Sequence, residues 1–148
     1  LGYDADRTAA GAVDVASLAE IDRSLTASIR AAVRDAETDA GRDFAWRDRR
    51  SLAERIRTDV GTDIGRLERS HADESRAVTV TFDDAAATRW AAEHCPSGRG
   101  RDFGSCRAID GVVVQERAGE TTVVAAAVSV RIVSPAESTT ATLSLRAV

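Results

Sequence analysis

At 148 residues the chain is one domain long, and a domain of that size buries about two thirds of its unfolded surface, enough for one sizeable core. Its 43% hydrophobic and 30% charged residues are a globular composition, not a disordered one, and the mild net charge of −4 leaves no strongly basic surface by count. Residues 1–75 carry 12 Arg against 16 Asp plus Glu and residues 76–148 carry 8 against 8, so all of the excess acidity lies in the first half. All 20 basic residues are Arg, and Lys, Asn and Met are missing, a usage that follows from a GC-rich genome. The first residue is Leu1 rather than Met, and a signal or anchor is expected before it. Within the chain the longest apolar run is Val123 to Val128, far short of the ~20 residues of a membrane span.

Residues 1–12 are small and polar without a clear period, and they predict a lead-in or juxtamembrane segment, helical at most, ahead of a single α+β domain over residues 13–148. From Asp14 the apolar residues Val15, Leu18, Ile21, Leu25, Ile29, Val33 and Ala36 recur at intervals of three and four, the signature of an amphipathic helix. Asp14 is placed to cap it and Gly41 to end it. Phe44 and Trp46 are expected to seal the turn into a second helix over Arg47 to Ser70, with Leu52, Ile56, Val60, Ile64 and Leu67 on its inner side. Gly61 and Gly65 interrupt that pattern, which predicts either a break or a close neighbour, since each costs about 1 kcal/mol against Ala in a helix.

Val78, Val80 and Phe82 alternate with Thr79 and Thr81, the pattern of a half-buried strand. Asp83 or Asp84 then reads as an N-cap for a short helix, Ala85 to Glu93, with Trp90 on its apolar side. After a glycine-rich segment from Cys95 to Cys106 come strands over Ala108 to Arg117, Thr121 to Val133 and Thr139 to Val148. Ala118-Gly119 makes a tight turn between the first two, and Ser134-Pro135 a break before the last. The fold class expected is α+β, with long N-terminal helices packed on one face of a four-stranded, mostly antiparallel sheet.

Cys95 and Cys106 are the only cysteines, and Gly98, Gly100 and Gly104 allow the intervening backbone to turn. The spacing favours a disulfide, which would stabilise the fold by roughly 3 kcal/mol and place the protein outside a reducing cytosol. A zinc site from His94, Cys95, Cys106 and His71 lacks the close ligand pairs such sites use, and free buried thiols are the remaining alternative. The run Gly98 to Gly104 lacks the Gly-Lys-Ser/Thr ending and the preceding strand of a phosphate loop. Arg99, Arg101 and Arg107 can form a cationic tip for a partner contact or an anion, against the alternative of a solvated loop.

Arg47, Arg49, Arg50, Arg55 and Arg57 are interleaved with Asp43, Asp48, Glu54 and Asp59, so they read as a solvated helix face rather than a nucleic-acid stripe. No G-x-S-x-G occurs, His71 and His94 stand in polar contexts, and the adjacent Asp83 and Asp84 are accounted for as a cap. The expectation is a non-enzymatic protein with no cofactor, metal or small-molecule substrate.

Arg89-Trp90-Ala91-Ala92-Glu93-His94-Cys95-Pro96 through Cys106, and the following Gly111-Val112-Val113-Val114-Gln115-Glu116-Arg117-Ala118-Gly119-Glu120, resemble a family of haloarchaeal membrane-anchored surface proteins. Members of that family resemble type IV pilins in having a short N-terminal tail and one hydrophobic helix before a soluble domain. Leu1-Gly2-Tyr3-Asp4 resembles the point where such a helix leaves the membrane, and the likeness runs over residues 1–6 and 89–130. The resemblance implies a cell-surface structural protein, a minor pilin or pseudopilin-like subunit, extracellular and membrane-anchored in its full length. Its implied partners are other pilin-like subunits or copies of itself, and it implies no catalytic residues. The alternative expectation is an extracellular binding module that uses the Arg-bearing loop.

Overall fold

The structure is a computed structural model and describes residues 3–7, 12–42, 49–95, 105–117 and 120–147. Helix α1 (Ala12–Arg42) follows strand β1 (Tyr3–Arg7), and α2 (Arg49–His71) follows α1. At about 1.5 Å per residue α1 runs about 46 Å. Its apolar spacing is realised, because Leu18, Ile21, Leu25 and Ile29 are fully buried and Ala32, Val33 and Ala36 nearly so. Asp14 lies inside the first turn instead of capping it, since the helix begins two residues earlier at Ala12. Helix α2 buries Leu52, Ile56, Val60, Ile64 and Leu67 and runs unbroken through Gly61 and Gly65. Glu20 faces His71, and Ser28 Oγ donates to Asp63 Oδ2 at 2.5 Å, so the two helices lie antiparallel. The expected turn residues Phe44 and Trp46, and Ala118 and Gly119 further on, lie outside the described residues.

Strand β2 (Ala77–Phe82), helix α3 (Asp84–His94) and strands β3 (Ser105–Ile109), β4 (Val112–Arg117), β5 (Glu120–Val133) and β6 (Ser138–Arg146) complete the order. The fold is α+β as expected and, among the described residues, every strand pairing is antiparallel, but the sheet there holds six strands rather than four. One extra strand is β1, which forms from the lead-in residues because β6 offers it an edge, with Tyr3 opposite Leu143 and Arg7 opposite Thr139. The other arises because residues 105–117 are a hairpin. Asp110 at φ 49° and Gly111 at φ 90° turn the chain between Ile109 and Val112, the backbone that an Asp-Gly pair favours.

The fourteen-residue β5 is the spine of the sheet. Along one edge it pairs with β6, and its other edge is shared, with β4 opposite Glu120 to Ala126 and β2 opposite Val128 to Val133. The handover falls at Ala127, whose N–H donates to Gly111 O and whose carbonyl accepts from Asp83 N–H, both at 2.9 Å. The free edge of β2 is partly closed by Glu68 of α2, which accepts from Val80 N–H at 2.9 Å.

Both long helices cover one face of the sheet, over Val78, Val80, Val112, Val114, Val128, Val130, Ile132, Leu143 and Leu145. The short helix α3 lies on the opposite face, against Val113, Ala125 and Ala127, where the sequence had suggested helices on one side only. A β-bulge in β5 adds to that face. The register shifts between Val113 and Val114, so Val123 joins the large core while Val124 and Ala125 both face α3. At the other end of the molecule, Arg76 ties α1 to the sheet. It donates to Ser17 Oγ at 2.5 Å and lies 3.6 Å from Asp14, which in turn accepts from the buried Thr139 hydroxyl at 3.3 Å.

Candidate functional site

Helix α3 is positioned by carboxylates at its start and by a covalent bond at its end. Asp83 has the extended backbone of an N-cap, and its carboxylate accepts from Ala86 N–H at 2.9 Å and from Ser129 Oγ at 2.7 Å. Asp84 accepts from Gly111 N–H at 3.0 Å, fixing the β3–β4 turn against the same helix end. The Ser129 hydroxyl and then the Ala86 amide hold the Asp83 carboxyl below its ordinary value. Of the two acids the sequence offered as a cap, Asp83 caps the helix and Asp84 holds the hairpin turn, so each has a structural partner.

At the far end Cys95 is the C-cap residue, its N–H donating to Ala91 O at 3.0 Å. Cys95 and Cys106 form a disulfide, with their Cα atoms 6.1 Å apart, and this bond fastens α3 to the edge strand β3. Both sulfurs are consumed by the bond, which removes the zinc and free-thiol alternatives for this pair. The two histidines are also far apart in the fold, His71 in the last turn of α2 and His94 in the last turn of α3. No cluster of three or more potential metal ligands occurs among the described residues.

Of the three arginines expected at a cationic tip, Arg99 and Arg101 lie outside the described residues. Arg107 is exposed on β3 opposite Val114, which points into the core under the long helices. Because side chains alternate along a strand, Arg107 lies on the sheet face opposite to its neighbour Cys106.

On the α3 side the disulfide forms one wall of a cleft of about 410 Å³, lined also by Trp90, His94, Gln115, Val124 and Arg146. That volume is within the range of about 300–1,000 Å³ typical of small-ligand sites. The Trp90 and His94 rings stack, with centroids 4.5 Å apart and planes 12° from parallel, and His94 Nδ1 is 3.0 Å from the Trp90 carbonyl oxygen. The guanidinium of Arg146 lies 5.9 Å from the Trp90 ring centre.

Sequence reasoning named the cysteines, Trp90 and His94 but not Gln115 or Arg146. Two signals pointed to them. Leu143 and Leu145 facing inward send Arg146 to the other face, and the Asp110-Gly111 turn sets Gln115 opposite Cys106.

The family model described as a family of unknown function, DUF7261, matches residues 1–146, and the chain belongs to that family. No curated protein and no solved structure gives a significant match to it.

Proposed function

We propose that this member of DUF7261 is a non-enzymatic structural domain displayed outside the cytoplasm by a membrane-anchored surface protein of the haloarchaeal kind, as a minor pilin or pseudopilin-like subunit. The observation that carries the reading is the Cys95–Cys106 disulfide, because such bonds persist in oxidising surroundings and are rare in a reducing cytosol. The long α1 laid across an antiparallel sheet supports the likeness to a pilin head. Strand β1 adds a constraint. It stands before α1 on the edge of the sheet, so an upstream hydrophobic helix would join the domain through β1 and not as an extension of α1. No helix among the described residues is long and apolar enough to cross a membrane, so the reading gives anchorage to such an upstream segment.

The test is to express the full-length protein with a C-terminal tag in a haloarchaeal host. Surface protease should remove the tag from intact cells, and both cysteines should resist alkylation until a reductant is added. Protease-protected protein with freely alkylated cysteines would overturn the reading.

A second reading, an extracellular binding module, is favoured by one observation. Among the described residues, the cleft beside the disulfide presents an arginine and no carboxylate. Capture of a partner that is lost on replacing Arg99 and Arg101 with Ser, with the melting temperature unchanged, would place that binding on the loop.

A further inference from the structure

The cleft between α3, the β3–β4 hairpin and the end of β6 brings three polar groups together beside the packed Trp90 and the disulfide. Among the described residues Arg146 is the one permanently charged group lining it, and none of those lining residues is a carboxylate. The Arg146 guanidinium, the Trp90 indole N–H and the Gln115 amide make no hydrogen bond or ion pair with another described residue. The cleft therefore offers a cation, a ring surface from the stacked Trp90 and His94, and an amide able both to donate and to accept.

A bare carboxylate would satisfy the guanidinium but leave the Gln115 oxygen without a donor and the aromatic surface unused. A neutral sugar would satisfy the amide and the rings and leave the cation unmatched. A pyranose that carries a carboxylate meets all three.

We propose that this cleft binds an acidic saccharide. Arg146 takes the carboxylate in a charge-assisted, two-pronged contact, Gln115 takes ring hydroxyls, and the Trp90–His94 stack takes the apolar face of the sugar. The inference rests on the second reading above, a binding module, but assigns the binding to the cleft instead of the loop. It does not depend on assembly or anchorage.

Calorimetric titration of the domain with trigalacturonate tests it, with the neutral trisaccharide maltotriose and with acetate as comparisons. Trigalacturonate should bind, maltotriose should bind at least about tenfold more weakly, and acetate should give no saturable heat. Arg146→Gln should weaken trigalacturonate binding by about tenfold or more. Gln115→Ala should weaken it several-fold, and Arg107→Gln, on the other sheet face, should bind as the unaltered protein does. One of the two indole N–H resonances, that of Trp90, should shift during the titration. Matching melting temperatures for the variants separate lost binding from lost folding.

Undiminished binding by Arg146→Gln would overturn the proposal, as would equal binding of acetate or no binding of trigalacturonate at millimolar concentration. Loss of binding only in the Arg99→Ser, Arg101→Ser variant would also overturn it, while leaving the binding-module reading in place.

Discussion

The two faces of the sheet are held by different physics. Under α1 and α2 the core is built from Leu, Ile and Val side chains, many of them fully buried, and burial of such groups is worth about 1.5–3 kcal/mol each. Under α3 the buried cluster is Ala86, Ala87, Val113, Ala125 and Ala127, four alanines and a valine, and it has little apolar area to contribute. That smaller face is held by devices with direction: a capping aspartate, a second aspartate on the hairpin turn, and a disulfide. Small side chains also leave room, and the cleft opens where the alanine layer gives way to Trp90 and the disulfide. The face that contributes least to folding is therefore the one with space and unused polar groups for a ligand.

The largest expected effect lies on the aliphatic face. Leu25→Ala removes a fully buried side chain from the seam between α1 and the rest of the core, and should cost about 2–5 kcal/mol, read from the urea midpoint at constant slope. A cost below about 1 kcal/mol would mean that this face relaxes around a cavity and is not the tightly packed one.

On the other face the matching perturbation is covalent. Replacing Cys95 with Ser and Cys106 with Ala should cost up to about 3 kcal/mol on the chain-entropy account. The location of the effect sharpens the comparison. Amide hydrogen exchange should quicken in α3 and β3 well before α1 and α2 change, because the large core does not touch the bond. Equal loss of protection in α1 would show that the two faces fold as one unit.

Next in size is the cap. Asp83→Ala should cost about 1 kcal/mol at neutral pH. The folded-state carboxyl is held below its ordinary value, by the Ser129 hydroxyl first, so the unfolded chain takes up the proton before the folded one does. Its contribution is therefore fully present above the unfolded value near 3.8 and is lost as pH falls through the lower folded value. The stability gap between the unaltered protein and Asp83→Ala should shrink between about pH 5 and pH 2. Ser129→Ala, which removes the leading cause, should make the acid limb of the unaltered protein shallower. A gap that stays constant with pH would mean that the carboxylate charge contributes nothing beyond hydrogen-bond geometry.

How much of this was legible in the sequence follows the same division. The aliphatic face could be read almost residue by residue, because Leu18, Ile21, Leu25 and Ile29 recur at helical spacing and Val128, Val130 and Ile132 alternate. A cap at Asp83 or Asp84 and the cysteine pairing were legible too, the first from local chemistry and the second from scarcity. The side on which α3 lies was not, because an 11-residue, alanine-rich helix has little amphipathic signal and its side is set by the connection from β2 to β3. Strand β1 was invisible because its pairing comes from β6, at the far end of the chain. The β3–β4 hairpin left a plain mark in Asp110-Gly111, but the run Val112-Val113-Val114 reads as one continuous strand with what precedes it. The cleft required that hairpin, the bulge in β5 and the far end of β6 together, so no local window could have shown it.

The smallest effect has the opposite sign and tests whether the aliphatic face has slack of its own. Gly61 lies in the interior of α2, and a Cβ built there would meet nothing within 4 Å, while one at Gly65 would lie 3.5 Å from the Arg69 guanidinium. The sequence suggested a break or a close neighbour at these positions, and neither is found, so the glycines carry the backbone entropy cost without a packing return. Gly61→Ala should raise stability by about 0.5–1 kcal/mol, visible as a higher melting temperature with an unchanged circular dichroism spectrum. Gly65→Ala should give a comparable gain, because its methyl group would make only an ordinary van der Waals contact, 3.5 Å from the exposed Arg69 side chain. Gly111→Ala is the contrasting control. It has φ of 90°, and its Cβ would sit 2.8 Å from Phe82 Cβ, so the same substitution there must destabilise. A loss at Gly61 comparable to that at Gly111 would mean that α2 is packed as tightly on its glycine side as on its leucine side.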